Sequence, residues 1–193
     1  MDWDQRWKEH DTPWDHGEAA PPLREFLERH SYEPGRALVP GCGSGHDVRL
    51  LDRFGFQATG LDVSETALKV AESMRNGGSE AYARGDWLEL DASWNGTFDW
   101  VVEHTCFCAI APSMRARYAS SCRGVLRPGG FFLAVFYLNP AAESGPPFAC
   151  ARGELDRLFG PFFELVREWK PTRTFPSREG RELCRLYQKC DSR

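Results

Sequence analysis

The feature that most constrains this chain is a glycine turn set between a strand and a helix. Arg36-Ala-Leu-Val-Pro40 reads as a short buried strand, and Val48, Leu51 and Phe54 fall on one face of a helix from about Asp47. Between them stands Gly41-Cys42-Gly43-Ser44-Gly45, where missing Cβ atoms permit a tight turn and let a ligand lie against the backbone. A second strand, Gln57 to Asp62, ends in a carboxylate 21 residues beyond Gly41, an interval at which an acid can accept both ribose hydroxyls of an adenosine. A dinucleotide fingerprint would place its third glycine at position 46, where His46 stands, and a Walker loop would require Gly-Lys-Ser/Thr, which is missing. Pyrophosphate binding is therefore disfavoured. Taken singly, the turn also serves as a plain strand-to-helix connection, and Asp62 as the approach to a helix capped by Ser64.

The rest of the chain continues the alternation. The Ser64 helix carries Leu68 and Ala71 inward, and Glu80 to Arg84 is a third strand candidate before Gly85-Asp86-Trp87. Phe98 to Thr105 is the next strand, followed by a helix from near Pro112 with Met114, Tyr118, Cys122 and Val125 at helical spacing. Leu126-Arg-Pro-Gly-Gly130 predicts a turn, and the apolar Phe131 to Leu138 a central strand covered on both faces. Pro140 to Pro147 reads as a flexible loop, Glu154 to Phe159 as a short helix, and Phe162 to Trp169 and Leu183 to Lys189 as closing strands. Alternating strands and helices predict a parallel, doubly wound α/β sheet, and 193 residues suit one domain.

Composition excludes several classes of function. The longest apolar run, Phe131 to Leu138, falls far short of the roughly 20 residues that span a bilayer, and no apolar stretch follows Met1, so a cytoplasmic protein is expected. A net charge of −4 argues against a nucleic-acid surface. The seven cysteines, at 42, 106, 108, 122, 150, 184 and 190, lack Cys-x-x-Cys spacing and predict mostly buried, reduced thiols.

In a doubly wound sheet ligands bind beyond the carboxyl ends of the strands. There Asp86 could meet an adenine amino group and Trp87 its ring face. The run Val39-Pro40-Gly41-Cys42-Gly43-x-Gly45-x-Asp47 with Gly60-Leu61-Asp62 resembles the S-adenosylmethionine-dependent methyltransferases. More narrowly, the chain resembles the thiopurine and thiol/halide S-methyltransferase family. That likeness rests on Trp3, Trp7 and Thr12-Pro13-Trp14-Asp15, on Phe107-Cys108-Ala109-Ile110-x-Pro112-x-Met114-Arg115, on Leu126-Arg-Pro-Gly-Gly130, on Gly145-Pro-Pro-Phe148 and on Arg178-Glu-Gly-x-Glu182.

The resemblance implies a single Rossmann-like methyltransferase domain with about seven strands, mostly parallel, an antiparallel strand near the C-terminus and helices on both faces. Residues 1–30 would cover the cofactor and 36–193 would form the α/β core. It implies S-adenosyl-L-methionine as cofactor, S-adenosyl-L-homocysteine as product, and a small thiol or halide acceptor, with no nucleic acid or membrane partner. The cofactor would be held by Trp3, Trp7 and Trp14 as a cover, by Gly41, Gly43 and Gly45, by Asp62 on the ribose, and by Asp86 and Trp87 near adenine. Glu103 and His104 would line its methionine end. The tryptophans recur at steps of 4 and 7, although Pro13 must interrupt any helix they share; such a stripe serves packing as readily as a ligand.

The family usually carries an acidic residue and then Tyr-Thr-Phe-Phe-Cys-Ala after the fourth strand, whereas this chain reads Glu103-His-Thr-Cys-Phe-Cys-Ala109. His104 and Cys106 are expected to face the acceptor. His104-x-Cys106-x-Cys108 could share a strand face, yet no fourth metal ligand is evident, and no metal is expected. A thiol of pKa about 8.5 is mostly protonated at neutral pH, so a base helps; His104 is the candidate, with Tyr137 shaping or hydrogen-bonding the acceptor. The basic residues Lys170, Arg173, Arg178, Arg181 and Arg185, interleaved with Glu179 and Glu182, are expected on a solvated face, with attraction of an anionic acceptor as the lesser reading. A heteroaryl-thiol or non-sulfur methyltransferase, a non-catalytic cofactor-binding module and a nicotinamide dehydrogenase are the competing readings.

Overall fold

Seven strands form one twisted sheet in the order β3-β2-β1-β4-β5-β7-β6, in the computed structural model of residues 1–140 and 144–190. They are β1 (Arg36–Pro40), β2 (Gln57–Asp62), β3 (Ala81–Arg84), β4 (Phe98–His104), β5 (Leu126–Tyr137), β6 (Phe163–Trp169) and β7 (Glu182–Lys189). The first five are mutually parallel, while β7 runs antiparallel to both neighbours. The strand order reverses between β1 and β4, so their carboxyl ends diverge there and leave the crevice in which such sheets bind ligands.

Side chains alternate between two cores, as the two-residue period of a strand requires. On one face Leu38, Val101, Phe132 and Phe136 pack under α5 (Arg115–Val125) and α6 (Arg152–Phe159). On the other, Ala37, Val39, Trp100 and Leu133 pack under α2 (Pro21–Arg29) and α3 (His46–Arg53). A short α1 (Trp3–Lys8) lies instead over the carboxyl ends, against α4 (Glu65–Ser73). No helix among the described residues is long and apolar enough to cross a membrane.

The predicted strands appear within a residue of their bounds except β5, which starts five residues before the expected Phe131, and local chemistry explains the departures. Leu126 to Gly130 is a bulged start to β5: Phe98 pairs with Leu126 and Trp100 with Phe131, so residues 127–130 loop out of register. Phe54 ends α3 as its cap and is 38% exposed, whereas Val48 and Leu51 are fully buried. The sequence pattern did not reveal α2, which starts on Pro21 and buries Leu23 and Phe26. The Pro140 to Pro147 loop falls partly outside the described residues. Cys108, Cys122, Cys150 and Cys184 are buried free thiols, whereas Cys190 is exposed.

Phe132 is fully buried at the centre of an aromatic cluster with Phe136, Phe159, Phe163 and Tyr187. Phe132→Ala should cost about 3–5 kcal/mol, read as a lower urea midpoint; a loss under about 1 kcal/mol would show that this core is not tightly packed.

Candidate functional site

The glycine turn brings backbone and neighbours into close approach at the head of the crevice. Gly41 has φ 58°, and a Cβ there would lie 2.9 Å from the Cys106 sulfur. Gly45, at φ 78°, caps α3, and a Cβ there would collide with the Tyr82 hydroxyl. Gly41 and Gly43 line the cavity; Gly45 is not among its lining residues and serves packing, which corrects its expected ligand role.

A cavity of about 850 Å³ runs across the carboxyl ends of the strands. Asp62, Gly85, Asp86 and Trp87 line one end, and Cys106, Cys108, Tyr137 and Arg178 the other. Asp62 Oδ2 accepts the Gly43 N–H at 2.8 Å and Oδ1 the Ser64 N–H at 2.8 Å. Burial pushes the Asp62 carboxyl up, against these two bonds. Each oxygen retains a lone pair, because a carboxylate offers about four acceptor sites. Asp86 is exposed and accepts the Leu88 N–H. Trp87 is buried beside Tyr118, and its Nε1–H has no partner among the described residues.

Trp3, Trp7 and Trp14 converge over the cavity. Only Trp3 and Trp7 share α1; Trp14 returns from the following segment and meets them edge-on, with ring centroids 5.3 and 6.4 Å away. The Arg6 guanidinium lies 4.4 Å from the Trp14 centroid. Asp4 fixes the cover by accepting the Ser64 hydroxyl at 2.8 Å and the Thr66 N–H at 2.9 Å. Lys8 and these bonds hold the Asp4 carboxyl well below the usual range.

Two expected residues lie elsewhere. Glu103 is 1% exposed and does not line the cavity: one oxygen accepts the Phe107 N–H at 2.8 Å and the other the Tyr118 hydroxyl. Burial pushes its pKa up to about 7, against those bonds. His104 lines only a smaller recess behind the turn, and both ring nitrogens are engaged. Nδ1 faces Asp47 at 3.0 Å and Nε2 faces the Arg178 guanidinium at 3.2 Å, so the ring has no free nitrogen to offer an acceptor. Burial raises the Asp47 carboxyl, but His104 and the Ala20 N–H bring it below its ordinary value.

Nor do His104, Cys106 and Cys108 share a strand face. β4 stops at His104, Thr105 adopts a left-handed φ of 65°, and a 3₁₀ turn follows. Cys108 Sγ bonds the Thr105 carbonyl, and burial pushes its thiol up to about 12 and that of Cys106 well above the ordinary value. Both thiols are thus poor nucleophiles.

Arg178 is 5% exposed and Arg185 2%, so the late basic cluster is not one solvated face. Arg185 pairs with Asp156 and Glu168, whereas Arg178 lines the cavity with its guanidinium 4.8 Å from the Tyr137 centroid. His16, which sequence reasoning passed over, also lines the cavity and stacks on Phe175 at 3.9 Å. The only signal for it was its place two residues after Trp14.

The family described as thiopurine S-methyltransferase (TPMT) matches residues 1–184. Thiocyanate methyltransferase 1 of Arabidopsis thaliana is 33% identical over 193 residues, covering 97% of this chain and 84% of the relative. Thiopurine S-methyltransferase of Pseudomonas fluorescens is 28% identical, covering 82% of this chain and 80% of the relative. Among solved structures, a Burkholderia thailandensis 1,6-didemethyltoxoflavin-N1-methyltransferase with bound S-adenosylhomocysteine superimposes with a TM-score of 0.76 at 21% identity, over 98% of this chain and 86% of that one. At that identity the likeness is one of fold.

The buried Glu103 carries a stability signature. Between its ordinary 4.5 and about 7 the native state keeps a proton that the unfolded chain has lost, so stability falls as pH rises through this window. The contribution is complete below pH 4.5 and gone above about 7, a change of about 3 kcal/mol. Glu103→Gln should lack this slope when urea unfolding is compared at pH 5 and pH 8; an identical slope in the variant would show that Glu103 does not hold the proton.

Proposed function

The chain belongs to the thiopurine S-methyltransferase family, and from that premise we propose that its methyl acceptor is small: a thiol or hydrosulfide, or a halide. It is an S-adenosylmethionine-dependent S-methyltransferase. The smaller acceptor is favoured by the greater likeness to the plant thiocyanate enzyme than to the bacterial thiopurine one.

The residues present fit the cofactor. Asp62 retains lone pairs for ribose hydroxyls, the Trp87 Nε1–H is an unspent donor at the same end, and Gly41 presents no Cβ to the cavity. Asp62 would hold the ribose, Asp86 and Trp87 the adenine, and Gly41 and Gly43 the arm leading past β1. Residues 1–16 would act as the cover, with Trp3, Trp7 and Trp14 presenting indole faces that suit a sulfonium, whereas α2, expected as part of that cover, belongs to the α/β core through Leu23 and Phe26. When bound, the cofactor supplies an electrophilic methyl group on positively charged sulfur.

The chain's own contribution is alignment and dryness. Holding an acceptor in line can be worth about 7–11 kcal/mol. The cover excludes water that would stabilise separated ions more than a transition state in which their charges merge. Arg178 attracts an anionic acceptor, and Tyr137 beside it bounds the acceptor and can donate a hydrogen bond. The observation that carries this reading is the one cavity joining an adenosine-suited end at β2 and β3 to a cationic, aromatic end at β5 under a tryptophan cover.

Purified protein should form S-adenosylhomocysteine with hydrosulfide, alkyl thiols, thiophenol or iodide, and turn over a mercaptopurine more slowly. Faster turnover of the mercaptopurine would move the acceptor to the heteroaryl class, and no turnover despite saturable cofactor binding would leave a binding module. Asp62→Asn removes a charged acceptor worth about 1.5–3 kcal/mol per hydrogen bond. It should weaken S-adenosylhomocysteine at least about tenfold by calorimetry; a change under twofold would remove Asp62 from the ribose site.

A further inference from the structure

We propose that His16 is the base that removes the proton from a thiol acceptor, the role for which His104 is misplaced. The inference deepens the S-methyltransferase reading and rests on it. His16 follows the tryptophan cover in the chain; it is exposed, and it lines the main cavity that Tyr137 and Arg178 also line as well as the smaller recess that holds His104. Its ring is fixed by a stack on Phe175, with centroids 3.9 Å apart and planes 26° apart. Hydrogen bonds at histidine rings among the described residues belong to His30, His46 and His104, so both His16 nitrogens are open to a ligand. His104 lies by the same Phe175, 6.2 Å between centroids, and is spent on Asp47 and Arg178.

The charges around His16 suit a base. Partial burial first, then Arg178 and His104, hold its pKa below the ordinary 6.5, while Asp15 and Glu18 of its own segment pull the other way. The ring is therefore neutral at pH 7 and carries a lone pair. In the proposed step the acceptor S–H bond breaks, its electron pair stays on sulfur, and a ring nitrogen of His16 forms the new N–H bond. Arg178 stabilises the thiolate so formed, whose free pair is the nucleophile for methyl transfer. The imidazolium returns its proton to water after the thioether leaves. A halide has no proton to give and needs no such step.

The test compares wild type with His16→Gln on an alkyl thiol and on iodide between pH 5.5 and 9.5, with S-adenosylhomocysteine affinity measured on both proteins. Wild-type kcat/KM for the thiol should rise through a titration below 6.5 and then stay level towards the thiol's own pKa. The variant should lose at least about tenfold at pH 7, its activity following the thiolate fraction and converging on wild type near pH 9. Iodide turnover and S-adenosylhomocysteine affinity should stay within twofold. By NMR, the wild-type His16 imidazole should titrate below 6.5 without any turnover. Equal losses on thiol and iodide, an unchanged thiol profile, a tenfold loss of S-adenosylhomocysteine affinity or a His16 titration above 7.5 would each overturn the base. Wild-type turnover of iodide but of no thiol would overturn it and leave a halide acceptor standing, whereas no turnover of any acceptor would sink the S-methyltransferase reading as well.

Discussion

The Asp62 carboxylate is the point on which the cofactor half of the structure depends. It accepts one backbone N–H from the glycine turn and one from Ser64, so the loops after β1 and β2 cannot move independently. Ser64 carries the connection outward: its hydroxyl accepts the Ala67 N–H to cap α4 and donates to Asp4. Asp4 also accepts the Thr66 N–H and thereby ties the tryptophan cover to the α4 N-terminus, whose partial positive charge favours a carboxylate. Turn, Asp62, helix cap and cover form one chain of hydrogen bonds. A burial that raises the Asp62 carboxyl leaves its remaining lone pairs in a medium where a further hydrogen bond counts for more than in water.

A second chain fixes the acceptor half. The Ala20 N–H donates to Asp47, Asp47 pairs with His104, His104 meets Arg178, and Arg178 pairs with Glu182 at 3.3 Å. It joins the start of α2, the first turn of α3, the end of β4 and the start of β7. Charges this deeply buried persist only when partnered, and removing one member strands the next. His104 is therefore the link that joins Asp47 to Arg178.

What the sequence made legible was local. Gly41, Asp62 and Ser64 declare themselves because turn geometry, strand length and capping are decided within a few residues, and the spacing of the first two follows from one strand–helix–strand unit. The bulge at Leu126 to Gly130 misled because the same Pro-Gly chemistry that closes a turn also opens a bulge, and β4 decides between them. His104 and Cys106 were expected to share a face by strand alternation, but the left-handed Thr105 ends the strand between them. Trp14 reaches Trp3 and Trp7 by a returning loop, a contact that helical spacing cannot describe. His16 was hidden, and Arg178 was read first as one of a solvated row, for a related reason. Their roles come from Tyr137 and Phe175, residues far along the chain from one or both of them, and an arginine among surface arginines looks like its neighbours until the fold buries it.

The two chains also explain how one cavity can hold reactants of opposite charge. A sulfonium and an anion attract, and a site that stabilised each strongly on its own would deepen the ground state without helping the transition state, where charge is dispersed. The protein meets this with asymmetric, compensated charge. At the acceptor end Arg178 supplies a positive field, yet Glu182 beside it offsets the full charge and Tyr137 and Phe175 cover its guanidinium. In the proposed complex the group that meets the sulfonium is the quadrupole of the indole rings that line the cavity, which attracts a cation without pairing it permanently. Among the acids that line the cavity, Asp62 accepts two backbone N–H groups, Asp4 pairs with Lys8 and accepts the Ser64 hydroxyl and the Thr66 N–H, and Asp86 accepts the Leu88 N–H. The full charges of Arg178 and Asp4 are thus paired within the protein while aromatic faces line the cavity beside them, so that in the proposed reaction the reactants' mutual attraction is spent on closing the distance between them.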